Sequence, residues 1–245
     1  MGQEVAQQRT SRLKRYRSAL LISLVFLFVF VATSELTAAL VHWLNIASFF
    51  SDQNTFLFAG QVAIYALMAL VLVALTRLVL KQKSLKVIFG FKEPRRYWYF
   101  ALVPVLFIGY LLFSQLVSAA ITHFVPVFNA TQSQNVGFTF TNATDRIVAG
   151  VMLILIVPFF EETVFRGWLF GQVRRHVGFW GSAVIVSLIF AYLHGQWNVG
   201  VDVFFLSMVL CWLRQKTGSI WVGVSLHALK NLIAFIVIIY AGIGN

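Results

Sequence analysis

Seven apolar runs, separated by short polar connections, limit what this chain can fold into. Hydrophobic residues make up 60% of its 245 residues and charged residues only 11%, whereas a soluble domain carries about 25% charged residues. A helix needs about 20 apolar residues to cross a bilayer, and five of the runs reach that length. Together these features predict an all-α, polytopic transmembrane helical bundle of seven helices, or eight if one run is split. The runs cover residues 19–44, 55–80, 97–124, 147 to about 170, 180–193, 199–213 and 220–243.

The basic residues predict how the bundle is oriented. The net charge of +11 could suggest a nucleic-acid partner, but lysine and arginine occur in bursts between the apolar runs and not on one face. Residues 1–18 form a basic N-terminal segment, and further basic clusters lie at 81–96, 174–175 and 214–216. Because cytoplasmic connections carry the excess of lysine and arginine, we predict a cytoplasmic N-terminus, seven alternating spans and no nucleic-acid binding. The first run is longer than the roughly 7 to 15 residues of a secretory signal, so we expect it to be retained.

Three short polar motifs interrupt the apolar runs of the second half. They are Glu-Glu-x-x-x-Arg at 161–166, Phe-x-x-x-His at 190–194 and His-x-x-x-Asn at 227–231. Ionisable groups at membrane depth cost roughly 2.5 to 3.5 kcal/mol each on insertion scales, so a chain that keeps several of them is expected to use them. At a rise of 1.5 Å per residue, the motifs lie about 15 to 21 Å from the nearer cytoplasmic end of their helices. We therefore predict a buried polar site near the middle of the bilayer.

Helical spacing predicts roles within two of these motifs. Glu162 and Arg166 are four residues apart with the acid first, the favoured order for an intrahelical ion pair. Glu161 lies about 100° round the helix from Glu162 and is left without this partner, which suits a general base. His227 and Asn231 are also four apart, so they share one helix face and can address the same ligand atom.

The two short runs, 180–193 and 199–213, predict an internal pocket. Helices of about 14 residues are about 21 Å long, which is too short for a hydrocarbon core about 30 Å thick. Their connection is therefore expected to dip into the protein, where irregular backbone must be buried or line a wet cavity. This would place His194, Asn198 and Asp202 around an aqueous pocket. Lys230 is expected either to snorkel to the interface or to pair with Asp202.

In this order across hydrophobic helices, the three motifs resemble those of the CPBP family. These are the CAAX-protease and bacteriocin-processing intramembrane proteases, also called Abi proteins. The resemblance covers roughly residues 147–234. It implies that residues 19–146 are N-terminal transmembrane helices and that 147–245 form a catalytic helical core.

The resemblance also implies an activity and assigns residues to it. The expected reaction is the hydrolysis of a peptide bond in a membrane-associated or exported peptide or protein. Glu161, assisted by His194, would activate a water that attacks the peptide carbonyl, and His227 and Asn231 would donate hydrogen bonds to the developing oxyanion. The residues expected to support this site are Glu162, Arg166 and Phe190. Bacterial relatives are associated with peptide export and bacteriocin immunity, so we expect an integral protein of a bacterial plasma membrane.

Metal dependence is a separate question. Glu161, His194 and His227 could bind zinc through two histidines and a carboxylate. The compact His-Glu-x-x-His signature is absent from the sequence, and asparagine is a poor zinc ligand. We therefore expect a site without metal or other cofactor, with zinc as the alternative.

Two other classes of function stay open at this stage. A non-catalytic scaffold or immunity protein could hold a peptide with the same buried groups. A proton-coupled transporter could also keep acids and histidines at the midplane, but transporters often interrupt helices in both halves of the chain. Here the polar motifs occur only in the second half.

Overall fold

The computed structural model describes residues 2–81, 84–132 and 137–241, and this part of the chain contains helices and no strands. The α-helices are α1 (Gly2–Trp43), α2 (Gln53–Ala74), α3 (Leu85–Ile88), α4 (Val103–Phe124), α5 (Ala143–Gly150), α6 (Val157–Glu161), α7 (Phe170–Tyr192), α8 (Trp197–Thr217) and α9 (Trp221–Ala241). The 3-10 stretches are Ile46–Phe49 and Tyr97–Leu102, the second of which leads into α4. The π-helical stretches are Leu75–Val79 after α2, Val151–Ile156 between α5 and α6, and Glu162–Leu169 between α6 and α7.

Six helical stretches are long and apolar enough to cross a membrane. They are Thr10–Trp43, Gln53–Val79, Tyr97–Phe124, Ala143–Tyr192, Trp197–Thr217 and Trp221–Tyr240. The predicted all-α polytopic bundle is therefore confirmed. The fourth stretch contains both the fourth and the fifth of the predicted helices.

The chain reverses direction within that fourth stretch, at Gly178. This residue has φ 72° and ψ −170°, a conformation that glycine adopts without the steric penalty of a side chain. The ring centroids of Phe165 and Phe190 lie 4.9 Å apart, whereas 25 residues of straight helix would separate them by about 37 Å. The reversal places the second motif beside the first.

The connections between the helices lie at two faces of the bundle. At one face, which we call the basic face, residues 84–96 contact residues 214–220: the Arg95 amide donates to the Thr217 carbonyl and the Ile220 amide donates to the Gly90 carbonyl. At the opposite face, Asn54 donates to the carbonyl of Thr139. This sorting agrees with seven alternating spans.

The N-terminal helices hold the π-helical stretch Glu162–Leu169 in place. Trp168 is 1% exposed, and its indole N–H donates to the Thr76 hydroxyl at 2.8 Å. The Phe26 ring of α1 stacks on the same indole, with ring centroids 6.2 Å apart. The first two helices therefore pack directly against the segment that carries the first motif.

Two predicted boundaries are wrong. Helix α8 has 21 residues, so it is about 31 Å long and spans the hydrocarbon core. The predicted span 199–213 was too short because the helix continues through polar residues at both ends. The helix of the first motif continues to the reversal at Gly178 and does not end near Gly171. The connection 193–196 is short, and two of its residues, Leu193 and His194, line an internal cavity as predicted.

Candidate active site

The first and third motifs meet at a buried carboxylate. Glu162 and Arg166 form the ion pair that their spacing predicts, with Arg166 Nη1 2.9 Å from Glu162 Oε1 and both side chains 0% exposed. The same oxygen lies 3.0 Å from His227 Nδ1. Because a carboxylate accepts hydrogen bonds, His227 carries its proton on Nδ1 and donates it to Glu162. Glu162 therefore fixes the orientation of the imidazole.

Backbone geometry around this cluster departs from an ordinary α-helix. Residues Glu162–Leu169 are π-helical, and a second π-helical stretch, Val151–Ile156, lies just before Pro158. Such stretches are rare and often occur at functional sites, because the wider turn changes the direction of neighbouring side chains. These stretches were not predicted from the sequence.

Phe190 connects the second motif to the other two. Its ring lies 4.3 Å from the Arg166 guanidinium carbon, a distance that allows a cation–π interaction. Its backbone carbonyl is 2.7 Å from His194 Nδ1, so His194 donates from Nδ1 and leaves Nε2 as an acceptor. The Phe190 ring also lies edge-on to both His194 and His227, at centroid distances of 4.7 and 6.1 Å. The phenylalanine of the motif thus orients one histidine through its backbone and packs against the arginine through its ring.

Burial also affects the charge state of His194, which lies in the connection outside the membrane-spanning helices. Burial lowers the pKa of His194, although the charge of Glu161 acts to raise it. A lowered pKa keeps the imidazole neutral near neutral pH. His194 is therefore able to accept a proton on Nε2.

Glu161 is close to His227 but not directly bonded to it. Glu161 Oε2 is 3.7 Å from His227 Nε2, and this oxygen is buried without a hydrogen-bond partner among the described residues. This distance is too long for a direct hydrogen bond, but it places the carboxylate and the imidazole against the same space.

A cavity of about 340 Å³ contains Glu161 and joins the motifs. Binding pockets for small ligands typically measure about 300 to 1,000 Å³. The cavity is lined by the ionisable residue Lys230 and by five residues of the motifs: Glu161, Phe190, His194, His227 and Asn231. The structure therefore brings at least one polar residue of each motif to the wall of one cavity.

Two residues of α2 belong to this cavity and were missed from the sequence. Tyr65 and Gln61 line it, and Tyr65 interacts with the side chains of Gln61 and Glu161. The Tyr65 ring stacks on Phe160, with centroids 5.1 Å apart and planes 4° apart. The signal was present, because Gln61 and Tyr65 are polar residues four apart in an apolar helix and therefore share one face. Nothing in the sequence showed that this face meets Glu161.

The third motif contributes Asn231 and its neighbour Lys230. Asn231 Nδ2 donates to the Leu153 carbonyl at 2.8 Å, which ties α9 to the π-helical stretch Val151–Ile156. Lys230 lines the cavity and does not pair with Asp202, which instead accepts a hydrogen bond from Ser114 at 2.9 Å. The predicted pairing of Lys230 with Asp202 is therefore wrong.

Asn198 and Asp202 lie away from the cavity. Asn198 Nδ2 donates to the Gln132 carbonyl at 2.7 Å, and Asp202 faces Ser114 of α4. Neither residue lines the cavity. The prediction that they surround the pocket with His194 is wrong, because it depended on a short α8 whose first residues would dip inward.

Two glycines allow the close contacts on which the site depends. A Cβ added at Gly167 would collide with the Phe89 carbonyl, so the connection 84–96 can touch the first-motif helix only where a side chain is lacking. A Cβ at Gly223 would lie 3.1 Å from Glu162 Oε2. The close approach of α9 at Gly223 brings His227 within reach of Glu162.

The described residues do not assemble a metal site. No group of three His, Cys, Asp or Glu side chains in 2–81, 84–132 and 137–241 is arranged to hold a metal ion. His227 Nδ1 lies against Glu162 and His194 Nδ1 against a backbone carbonyl, which is also how metal-binding histidines are oriented. The zinc alternative of Glu161, His194 and His227 therefore stays a prediction.

Comparison with known proteins identifies the class to which this arrangement is related. Residues 143–233 match the family model described as type II CAAX prenyl endopeptidase Rce1-like. The match begins at α5 and ends in α9, so it contains all three motifs. The resemblance to CAAX-type proteases of the CPBP family is therefore confirmed over this part of the chain.

Two relatives from Bacillus subtilis (strain 168) are similar to parts of the chain. One is named "Putative membrane peptidase YdiL" and is 28% identical over 132 residues, which cover 52% of this chain and 51% of that protein. The other is the uncharacterized protein YpbD, 33% identical over 81 residues, which cover 31% of this chain and 39% of that protein. The chain thus spans about half or less of the length of these relatives. No solved structure matches it.

Proposed function

We propose that this protein is an intramembrane endopeptidase that hydrolyses a peptide bond with water activated by Glu161. The observation that carries the proposal is the buried carboxylate oxygen of Glu161, which has no hydrogen-bond partner in the described residues, faces His227 at 3.7 Å and lines a cavity. The similarity of residues 143–233 to Rce1-like endopeptidases supports the same class of reaction.

In the proposed reaction, Glu161 takes a proton from a water in the cavity while the water oxygen attacks the peptide carbonyl carbon. His194, neutral and with Nε2 free to accept, helps to orient that water. The proton then passes from Glu161 to the amide nitrogen as the carbon–nitrogen bond breaks. General-base catalysis of this kind typically contributes about 10²- to 10⁴-fold in rate.

The negative charge that develops on the carbonyl oxygen needs hydrogen-bond donors. We propose His227 and Asn231 as these donors. His227 would donate when it is protonated on Nε2, and Asn231 would donate after it releases the Leu153 carbonyl. One such donor contributes about 10²- to 10³-fold in rate. Glu162 and Arg166 act by positioning, because Glu162 holds His227 by its other nitrogen.

The test is a comparison of matched variants in purified protein and in cells. Glu161→Gln and His194→Ala should each lower cleavage by about 10²-fold or more, with the protein still eluting as a monodisperse species in detergent. Glu35→Gln and His123→Ala, which change exposed residues of α1 and α4, should cleave at the wild-type rate. Cleavage by Glu161→Gln at the wild-type rate would refute the proposal.

The natural client is to be found with the same variant. Membrane and secreted peptides from cells with the wild-type protein and with Glu161→Gln should differ by a product that only the wild-type protein generates. Processing of an exported or bacteriocin-like peptide, or an immunity role that depends on cleavage, would be visible in this comparison. If Glu161→Ala retains a peptide-protection phenotype, the protein acts by binding and not by hydrolysis.

We further propose that the reaction needs no metal. The proposal is supported by the arrangement of the described His, Cys, Asp and Glu side chains, in which no group of three is placed to hold a metal ion. Activity that disappears with a chelator and returns with stoichiometric zinc would contradict it.

A further inference from the structure

The exposure of the cavity wall changes along the helices in one direction. On α9, His227 is 3% exposed, while Ala234, about two turns further from the basic face, is partly exposed. On α2, Tyr65 is 6% exposed, while Gln61, about one turn further from that face, is partly exposed. All four residues line the cavity. The cavity therefore becomes more open with distance from the basic face.

The protein seals the cavity on the side of the basic face. Glu162 and Arg166, which follow Glu161 towards the basic face, are both 0% exposed. The next residues, Trp168, Leu169 and Phe170, are at most 1% exposed, and Gly167 packs against the Phe89 carbonyl of the connection 84–96. The segment between Glu161 and the basic face is therefore closely packed, and a peptide cannot reach Glu161 along it without displacing these residues.

At its other end the cavity reaches the connection between α7 and α8. Leu193 and His194 line the cavity and follow the end of α7 that points away from the basic face; the next residue, Gly195, is exposed. Beside this connection, Asn198 is bonded to Gln132, which also lies at the opposite face. The open end of the cavity is consequently at that face.

The charges of the two faces differ sharply. Among the described residues, the basic face carries nine lysines and arginines: Lys81, Lys86, Lys92, Arg95, Arg96, Arg174, Arg175, Arg214 and Lys216. The described connections 44–52, 125–132, 137–142 and 193–196 of the opposite face carry none. Since lysine and arginine accumulate on the cytoplasmic side, the charge pattern assigns the basic face to the cytoplasm and the open end of the cavity to the other side.

We propose that the substrate of this site is a peptide or protein segment presented on the non-cytoplasmic side of the membrane, which enters the cavity from the opposite face. That the ligand is a peptide rests on the proposed function, whereas the side from which the cavity is reached does not. A segment entering this way passes Gln61 and Ala234 before it meets Glu161 and His194.

The side of access can be measured by thiol labelling, because the chain has one cysteine, Cys211, which is 0% exposed. Gln61→Cys and Ala234→Cys place a thiol in the cavity wall, while Ser51→Cys and Lys92→Cys serve as controls at the opposite and basic faces. Each full-length variant is exposed to a charged, membrane-impermeant maleimide in spheroplasts and in inside-out vesicles. Wild-type protein should stay unlabelled in both preparations.

We expect Gln61→Cys and Ala234→Cys to label in spheroplasts together with Ser51→Cys, and Lys92→Cys to label only in inside-out vesicles. Cavity thiols that label only with Lys92→Cys, or in neither preparation, would overturn the proposal. It would also fall if Ser51→Cys labelled only in inside-out vesicles. Failure of the proposed hydrolysis would appear separately, as a Glu161→Gln protein that cleaves normally, and would leave the labelling pattern unchanged.

Discussion

Removal of the Arg166 guanidinium should destabilise the protein far more than removal of an exposed arginine. In Arg166→Met, the Glu162 carboxylate keeps its charge at 0% exposure and loses the partner 2.9 Å away. Breaking a buried ion pair by removing one partner costs about 3 to 5 kcal/mol, because the remaining charge is buried without compensation. The contact between Arg166 and the Phe190 ring adds about 0.5 to 2 kcal/mol to this loss.

The same reasoning predicts that the two partners are coupled. Glu162→Gln alone leaves the Arg166 cation buried, so it should also lose about 3 to 5 kcal/mol. The double variant Glu162→Gln with Arg166→Met buries no unpaired charge at this pair and should be more stable than the sum of the single losses predicts. Contacting residues typically show interaction energies of about 0.5 to 3 kcal/mol in such cycles.

The free energy of unfolding can be followed by tryptophan fluorescence during a titration of mixed micelles with SDS. The chain has seven tryptophans, and Trp168 is buried within the same π-helical stretch as Arg166. Arg15→Met on α1, at an exposed position, is the matched control and should unfold at the wild-type SDS fraction. If Arg166→Met also unfolded there, or if the two single losses simply added in the double variant, the buried ion pair described here would be refuted.

Three further changes test other contacts of the site. Gly167→Ala should destabilise the protein by about 1 to 3 kcal/mol through overpacking against the Phe89 carbonyl, measured by the same titration, and an unchanged midpoint would contradict the close approach. Tyr65→Phe keeps the ring that stacks on Phe160 and removes the hydroxyl near Glu161. We expect kcat to fall while the free energy of unfolding changes by no more than about 1.5 kcal/mol. An unchanged kcat would exclude Tyr65 from the reaction. Dialysis against a chelator should leave the cleavage rate unchanged, and a loss that zinc restores would show that metal is needed.

Much of the site could be predicted because helical spacing converts sequence into a direction in space. The pairing of Glu162 with Arg166 followed from their separation by four residues, which places them on one face. The sorting of connections to two faces followed from the alternation of charged and apolar segments. In each case the information was local in the sequence, or was repeated along it.

Features that depend on contacts between distant segments could not be predicted. Tyr65 and Gln61 meet Glu161 only because α2 packs against the first-motif helix, and no periodicity within α2 states which neighbour it will have. Asn198 and Asp202 were predicted to line the pocket and do not. A polar residue in an apolar run can form its hydrogen bonds with any nearby group, and the sequence does not show which. Here Gln132 and Ser114 supply those groups, so these polar residues stabilise the packing of the bundle and do not line the cavity.

The charges of the cluster explain how a buried site could carry this reaction. Glu162 and Arg166 neutralise each other, which leaves Glu161 as the mobile negative charge and Lys230 as a cation on the same cavity wall. In the proposed reaction, Glu161 takes a proton from water and its negative charge moves to the carbonyl oxygen of the substrate, so the total charge of the cavity stays constant. In a medium of low dielectric, moving a charge by a few ångströms costs far less than creating one, because no new charge has to be removed from water. A fixed Glu162–Arg166 pair beside a proton-accepting Glu161 is therefore an arrangement in which hydrolysis within the membrane changes the position of a charge and not its amount.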